Sequence, residues 1–378
     1  MADPVAPPAP DEVELSAFGP GYGESLLVHL GAGEWMMVDS CVKAGRLPAL
    51  DYLASIGVDP ALSVTRLVAT HWHDDHVRGL SEALFRCSGA TFVCSVAVNV
   101  DELLALVDRK PRVDFGKVTS GVDEMRNVRR HLDAAGERHR LTWANSQKTL
   151  YERRGDLPCR IVALAPCEMA VSEAFLRIAE LVVDTAPTRR VPKPERNDGA
   201  VVLWVEVGDA TILLGADLQE TEDDHTGWTA VVLCRDGDDR KSEIFKVPHH
   251  GSSNGHSEPV WRDLLVDNPE AVVCPHERGR NQLPTKDDLD RLCQRARVHL
   301  TAPPRPATSS TRGRRRGRLA EVDFGRVTLR RRIGEGADWN VTYDPPARFG
   351  CTGASPDEGA PGSVAVRPGP GAGEPEPS

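Results

Sequence analysis

The sequence has no long apolar run and does not begin like a secreted protein. No segment approaches the roughly 18 consecutive apolar residues of a membrane-spanning helix. The start, MADPVAPPAPDEVE, is acidic and rich in proline, whereas a secretory signal is basic and then apolar. These two absences predict a soluble, cytoplasmic protein with no membrane association.

The sequence also lacks paired cysteines and an excess of positive charge. Its nine cysteines form no Cys-x-x-Cys pair, so we expect neither a disulfide framework nor a structural zinc site and interpret most of them as core residues. The net charge of -10 excludes a surface that binds nucleic acid over its whole area. It is compatible with a local basic patch: the run from Arg312 to Arg318 is either a solvated loop or an arm that binds phosphates.

The composition predicts one folded domain between two disordered tails. A hydrophobic share of 40% supports a substantial core. Residues 1–10 and 348–378 are rich in proline, glycine, glutamate and alanine, which predicts disorder and leaves a domain at 11–347. Residues 99–158 carry a charged helix near 122–135 and otherwise fit the domain pattern poorly, so we expect an insertion that could roof a site.

Apolar periodicity predicts an opening meander of strands, followed by alternating strands and helices. The first strands, at 13–18, 25–30 and 34–39, are separated by glycine-rich turns. Further strands are predicted at 64–69, 91–98, 160–166, 200–208, 210–217, 243–251, 270–276, 325–331 and 339–344, and helices at 47–56, 80–86, 169–182 and 285–296.

Three of the twelve histidines lie close together in the stretch ATHWHDDHVRG, residues 69–79. His71, His73, Asp75 and His76 follow an apolar strand, so the strand would deliver them into the turn at its end. Imidazole nitrogens and carboxylate oxygens are ligands for zinc and related divalent metals, and a catalytic centre needs several of them around one open position. The stretch therefore predicts a metal centre.

Further candidate ligands lie at the ends of later predicted strands. Asp217 ends ILLGAD, where its carboxylate could bridge two cations, although a surface turn would also suit it. His249 and His250 end the next strand, and adjacent residues of a strand cannot both point into the core. His276 ends VVCPH, as either a ligand or a structural residue.

Taken in order, these motifs resemble the metallo-β-lactamase superfamily and, within it, the hydrolase domain of ComEC-type DNA-uptake proteins. The opening GYGESLLVHL is similar to the glycine-rich entry hairpin of that family, and Asn197 leads a strand pair similar to the one before its bridging aspartate. The resemblance implies an α/β (α+β) fold, a four-layer αββα sandwich, with two divalent metal ions, zinc or manganese, at one edge.

The resemblance also implies roles for individual residues. His71 and His73 would hold one metal together with His249 or His250, Asp75 and His76 would hold the second, and Asp217 would bridge. Asp75, His250 and Asp39 are the candidate catalytic residues; Asp39 would orient a ligand or, alternatively, serve a turn. Two departures from the family's pattern affect the expected metal ligands. The family's Asn-x-x-x-His-Pro element appears as Asn281-Gln282-Leu283-Pro284, for which His276 could substitute, and the separate third histidine has no clear counterpart.

The implied activity is hydrolysis by a metal-bound hydroxide. The favoured substrate is a phosphodiester, in a nucleic acid or a nucleotide, because the ComEC-like motifs and the arginines of 312–318 both suit phosphates. A carboxylic ester, thioester or lactone hydrolase is the alternative on the same fold. A metal-binding module without catalysis is a third hypothesis.

Overall fold

The computed structural model describes residues 6–20, 23–97, 120–183, 197–235, 239–276, 282–304, 324–336 and 338–351. The basic run 312–318, Asn281 and residues 99–119 of the expected insertion lie outside these ranges. Among the described helices, none has the length and apolar character needed to cross a membrane.

The described strands form two mixed sheets of eight. In chain order they are β1 (Glu12–Pro20), β2 (Ser25–His29), β3 (Trp35–Val38), β4 (Val64–Ala69), β5 (Thr91–Ser95), β6 (Leu141–Ala144), β7 (Lys148–Arg153), β8 (Cys159–Ala163), β9 (Leu203–Val207), β10 (Ala210–Leu214), β11 (Ser242–Lys246), β12 (Leu265–Val273), β13 (Arg297–Leu300), β14 (Phe324–Arg332), β15 (Asn340–Asp344) and β16 (Arg348–Phe349). The first sheet has the order β15-β14-β1-β2-β3-β4-β5-β6, and the second has the order β16-β13-β12-β11-β10-β9-β8-β7.

Eight helices accompany the described sheets, and their starts follow local rules. They are α1 (Pro48–Ser55), α2 (Pro60–Ser63), α3 (Asp74–Val77), α4 (Leu80–Arg86), α5 (Ser120–Ala134), α6 (Glu168–Val183), α7 (Gly227–Cys234) and α8 (Lys286–Cys293). Proline occupies the first position of α1, where a missing N–H costs nothing. At α8, Thr285 and Asp288 form a reciprocal capping box, with Asp288 N–H donating to Thr285 Oγ1 and Thr285 N–H to Asp288 Oδ2.

Strand alternation builds the layers. Along β2, Leu26 and Val28 pack in a core shared by the two sheets, whereas Leu27 packs on the opposite face. That face is covered by α1, α4 and α5, and the outer face of the second sheet by α7 and α8. The order of layers is helix, sheet, sheet, helix. The αββα sandwich that the motifs implied is therefore confirmed.

The parallel strands explain why distant motifs meet. β3, β4, β5 and β6 are parallel neighbours in the first sheet, as are β10, β11, β12 and β13 in the second. The carboxyl ends of parallel strands lie at one end of a sheet, and ligands of open α/β sheets bind there. Asp39, the histidine stretch, Asp217, His250 and His276 each follow one of these strands.

Residues 99–158 are only partly an insertion, because 141–153 supplies an edge strand to each sheet. β6 pairs with β5 of the first sheet, and β7 pairs with β8 of the second. The charged helix α5 is also part of the core, since Met125, Val128 and Leu132 are buried against α4. The predicted range was wrong for these residues, because edge strands and surface helices carry charges on their exposed sides.

Some residues of both predicted tails contact the domain. Ala32 N–H donates to the Pro10 carbonyl at 2.7 Å, so residues before 11 contact the domain. At the other end, β16 pairs with β13, and Cys351 forms a disulfide with Cys293. The expectation of no disulfide was wrong for this pair. Disulfides are rare in reducing compartments, so the bridge does not support the expected cytoplasmic location.

A buried histidine far from the metal motif makes stability depend on pH. Burial lowers the pKa of His29 from 6.5 to about 4, although its ring N–H donates to the Glu12 carbonyl. Its contribution to stability is present above pH 6.5 and is lost as the pH falls from 6.5 towards 4, because the unfolded state takes up the proton first. The loss should approach about 3 kcal/mol.

Urea unfolding of metal-free protein at pH 7 and pH 4.5 tests this dependence. His29→Asn should be less stable at pH 7 yet lose about 2 kcal/mol less than the wild type between the two pH values. His225→Asn, at an exposed histidine, is the matched control and should follow the wild type. Parallel curves for wild type and His29→Asn would contradict the assignment.

Candidate metal centre

The centre is built around His76, which is completely buried. Its Nδ1 lies 2.7 Å from Asp39 Oδ2, so the ring donates there and directs Nε2 towards the other ligands. Asp39 is fixed in turn, since it accepts from Thr70 N–H and Thr70 Oγ1, both at 2.7 Å. Asp39 therefore fixes the direction of the His76 ring.

Three imidazole nitrogens surround one carboxylate oxygen. From Asp217 Oδ2, the distances to Nε2 of His76, His250 and His71 are 3.4, 3.6 and 3.8 Å. The structure thus brings together residues separated by nearly half the chain. Because all four side chains are buried, solvent does not screen the group.

Hydrogen bonds on the far side of two of these rings identify the tautomers. His250 Nδ1 lies 2.9 Å from the Cys274 carbonyl, which can only accept. His71 Nδ1 lies 3.0 Å from Thr70 Oγ1, whose single proton goes to Asp39. Both rings therefore carry a proton on Nδ1. Their Nε2 atoms, when not protonated as well, present lone pairs to Asp217.

Asp75 and His276 lie on the open side of the cluster. Asp75 Oδ2 is 3.3 Å from both His250 Nε2 and His276 Nδ1, and 3.9 Å from His76 Nε2. A short backbone pairing with Leu283 holds His276 in place. His276 thus reaches the same carboxylate as His250, from the end of β12.

His73 and His249 are two further histidines beside this group. The His73 ring is 4.8 Å from that of His71, centroid to centroid, at the start of α3. His249 Nδ1 lies 2.7 Å from Asn254 Oδ1, and its ring centroid is 6.1 Å from that of His250. Of the adjacent pair, His250 is therefore the one that points into the cluster.

Two functional candidates were missed in the sequence, namely Glu24 and Lys246. Their side chains form a fully buried ion pair at 2.8 Å, and Glu24 Oε2 lies 3.5 Å from His250 Nδ1. The alternation of side chains along the strands could have identified them. Glu24 lies two residues before Leu26, and Lys246 two after Ile244, both of which face the inter-sheet core. A lysine and a glutamate there need a partner.

The chain approaches itself closely to place Glu24. A Cβ at Gly23 would lie 1.6 Å from the Asp75 carbonyl oxygen, so only glycine fits, and Glu24 N–H donates to that oxygen at 2.9 Å. Strain also concentrates here, because Asp39, Ala216, His249 and His250 all have positive φ. Such backbone strain clusters at functional sites.

The cluster carries an excess of negative charge. Glu24, Asp39, Asp75 and Asp217 outnumber the one ammonium group, that of Lys246, when the histidines are neutral. Burial would lower the pKa of His76, but Asp217, Asp39 and Asp75 outweigh it and raise the pKa well above its usual value. Likewise, burial is outweighed at His250, where Asp217, Asp75 and Glu24 raise the pKa to about 10. Positive charge, on the histidines or on bound metal ions, therefore stabilises the centre.

The donor set fits divalent cations. Among the described residues, His71 Nε2, His76 Nε2 and Asp217 Oδ1 are buried and have no hydrogen-bond partner. Burial, followed by repulsion from His76 and His73, lowers the pKa of His71 well below its usual value, so its ring is neutral, as metal ligation requires. Within the described ranges, three groups have ligand atoms within 4.8 Å of one another: His71, His76 and Asp217; Asp75, His76 and His250; and Glu24, Asp39 and His76.

Comparison with known proteins finds weak likenesses. No protein-family model and no curated protein matches the chain. MEM-A1, a subclass B3 metallo-β-lactamase from a soil metagenome library, is 13% identical over 66% of this chain and 82% of its own, with a TM-score of 0.33. BJP-1, a subclass B3 metallo-β-lactamase of Bradyrhizobium japonicum, is 14% identical over 68% and 88%, with a TM-score of 0.30.

A third solved structure is described as the first B3 metallo-β-lactamase with an active-site glutamic acid. It is 16% identical over 60% of this chain and 71% of its own, with a TM-score of 0.30. At these scores, none of the three assigns an activity or a substrate to this chain.

Proposed function

We propose that this chain is a metal-dependent hydrolase of the metallo-β-lactamase superfamily, in its ComEC-like branch, and that it cleaves phosphodiesters in a nucleic acid or a nucleotide. One observation carries the proposal: three imidazole Nε2 atoms lie within 3.4 to 3.8 Å of a single buried carboxylate oxygen, Asp217 Oδ2. Three imidazoles around one buried carboxylate are stabilised only by positive charge, carried by protons on the rings or by metal ions held among them.

Each residue has a role that follows from its contacts. His71, His76, His250 and Asp217 would hold the metals from the buried side, and Asp75 and His276 from the open side. His73 would complete the set from the start of α3. Two zinc or manganese ions held there would supply an activated water and neutralise charge that develops on the substrate.

The surrounding residues fix the ligands. Asp39 holds the ring of His76, Thr70 that of His71, and the Cys274 carbonyl that of His250. Such outer contacts set the tautomer and the direction of a ligand, and they typically affect metal affinity about 10- to 100-fold. Asp75, His250 and Asp39 thus remain the proposed catalytic group, with Asp39 acting through His76.

A phosphodiester is favoured over a carboxylic ester because of charge. A phosphodiester carries a negative charge that cations attract in the ground state as well as during reaction. The motif order of ComEC-type domains and the arginines of 312–318 support the same class, including binding of nucleic acid.

Metal content and turnover test the proposal together. Protein purified without chelator should contain about two equivalents of zinc or manganese by mass spectrometry. It should accelerate cleavage of bis(p-nitrophenyl) phosphate over the uncatalysed rate by a larger factor than cleavage of p-nitrophenyl acetate. His71→Ala should lose metal and at least about 100-fold of the turnover, because it removes a neutral buried ligand. His225→Ala is the control at an exposed histidine.

The two measurements separate the hypotheses. Preferential cleavage of the acetate would favour the carboxylic ester hydrolase, and bound metal without turnover of either compound would favour a binding module. Full activity of His71→Ala would exclude the proposed centre.

A further inference from the structure

A cavity of about 500 Å³ opens beside the metal centre, and none of the residues of that centre lines it. It lies between the loop that follows β3, the first residues of α1, and the paired ends of β1 and β14. Cavities of roughly 300 to 1,000 Å³ hold small ligands or single units of larger ones. Its lining includes Lys43, Arg46, Tyr52, Phe324 and Arg326.

A tight turn presents two cations to this cavity. Lys43 and Arg46 exchange both backbone hydrogen bonds, at 2.9 and 3.0 Å, around Ala44 and Gly45, which both have positive φ. This is the geometry of a two-residue hairpin turn, which puts both side chains on the same face. Like charges directly opposite each other are destabilising. Asp51 neutralises Arg46 at 2.9 Å, so a bound anion would balance the remaining charge, that of Lys43.

A third cation and aromatic rings complete the lining. Arg326 lies over the Tyr52 ring at 4.0 Å, and the Lys43 ammonium lies over the Phe324 ring at 5.0 Å. Arg326 and Arg46 each have a carboxylate partner, Asp344 and Asp51, whereas Lys43 has none within 4 Å in the described parts of the chain. The cavity thus combines flat apolar surfaces with one uncompensated positive charge.

The cavity is close to the proposed catalytic group. Lys43 lies four residues after Asp39, which limits the distance between their Cα atoms to about 14 Å. Phe18, which also lines the cavity, connects it to His250. The Phe18 carbonyl is 4.0 Å from Cys274 Sγ, and the Cys274 carbonyl accepts a hydrogen bond from the His250 ring. A chain held at the metals could therefore place its next unit here.

We propose that this cavity binds a nucleotide unit, with its phosphate at Lys43 and its base against Phe324 and the Arg326 guanidinium that covers the buried Tyr52 ring. The inference rests on the proposed function, since it names the part of a phosphodiester substrate next to the cleaved bond. Phosphate suits a cation, and stacking on an aromatic ring tolerates any base. The source of the unit is either a free nucleotide or a single strand of nucleic acid.

Binding of adenosine 5′-monophosphate, measured by calorimetry, tests the site without turnover. The full-length protein is used as purified and again after treatment with EDTA, so that binding to a metal is recognised. The monophosphate should bind more tightly than adenosine or inorganic phosphate alone. Lys43→Ala should raise its Kd about tenfold, and Lys43→Glu more, because the uncompensated charge is removed or reversed. Lys286→Ala, at an exposed lysine of α8, is the matched control and should leave the Kd unchanged.

A fluorescent single-stranded oligonucleotide with phosphorothioate linkages identifies the source. If its affinity falls in Lys43→Ala as that of the monophosphate does, the ligand is a nucleic acid strand; if only the monophosphate responds, it is a free nucleotide. An identical Kd of the monophosphate for wild type and Lys43→Ala would overturn the site even if phosphodiesters are cleaved. If the monophosphate binds in a way that depends on Lys43 but the protein has no hydrolytic activity, the nucleotide site is supported and the proposed function is wrong.

Discussion

Replacing Asp217 by asparagine is expected to lower the affinity for divalent metal by at least about 100-fold and to abolish measurable turnover. The carboxylate oxygen Oδ2 lies within 3.8 Å of three imidazole nitrogens, and no other acid among the described residues is that close to all three. Changes outside a ligand set already cost about 10- to 100-fold in affinity, so loss of the central carboxylate should cost more. Competition with a chromogenic chelator measures the affinity.

The same variant should still fold without metal, but with lower stability than the wild type. Burial alone would raise the pKa of Asp217, but His76 and His250 lower it well below its usual value, so the folded protein stabilises this carboxylate. Asparagine keeps the shape and removes the charge that the two histidines stabilise. Unfolding in EDTA should therefore show a free energy lower than that of the wild type by about 1 to 3 kcal/mol. Asp267→Asn, at an exposed acid of β12, is the control for both measurements. Wild-type affinity in Asp217→Asn would remove the bridging role.

The sequence was sufficient for the central strands and most helices of the fold. Short apolar runs between glycine-rich turns made β2 and β3 recognisable, and α4 was predicted at its observed bounds of Leu80–Arg86. The missed elements have ambiguous patterns. α7, with the sequence GWTAVVLC, is a short apolar run without helical periodicity, and β7, KTLYER, carries the charges of an edge strand. Only their neighbours in space decide their conformations.

The candidate site was predictable to the level of strand ends but not of side-chain directions. Placing His71, His76, Asp217 and His276 at strand ends needed only apolar runs and the residues that follow them. The same information does not decide between His249 and His250, because both have positive φ in a turn whose shape depends on Asn254 and Cys274. The division of ligands between two metals stays a prediction, because His250 Nε2 lies 3.3 Å from Asp75 Oδ2 and 3.6 Å from Asp217 Oδ2.

The ion pair of Glu24 and Lys246 supports the second large prediction, in which stability and function respond differently. Lys246→Met should lower the free energy of unfolding by about 3 to 5 kcal/mol, because it leaves the buried Glu24 carboxylate without its partner. The same substitution in an exposed pair, Lys286→Met opposite Asp290, should cost less than about 0.5 kcal/mol. Urea unfolding in EDTA measures both.

The double variant Glu24→Gln with Lys246→Met separates the two effects of the pair. With no buried charge left unpaired, it should recover most of the lost stability, since uncharged replacements of a buried ion pair are often neutral. It should not recover metal affinity, because Glu24 Oε2 lies 3.5 Å from His250 Nδ1 and its negative charge favours a positively charged centre at that ring. A double variant as unstable as Lys246→Met would show that the pair matters through shape and not through charge. One with wild-type affinity for metal would show that the pair supports the fold alone, and that His250 is positioned by the Cys274 carbonyl without help from Glu24.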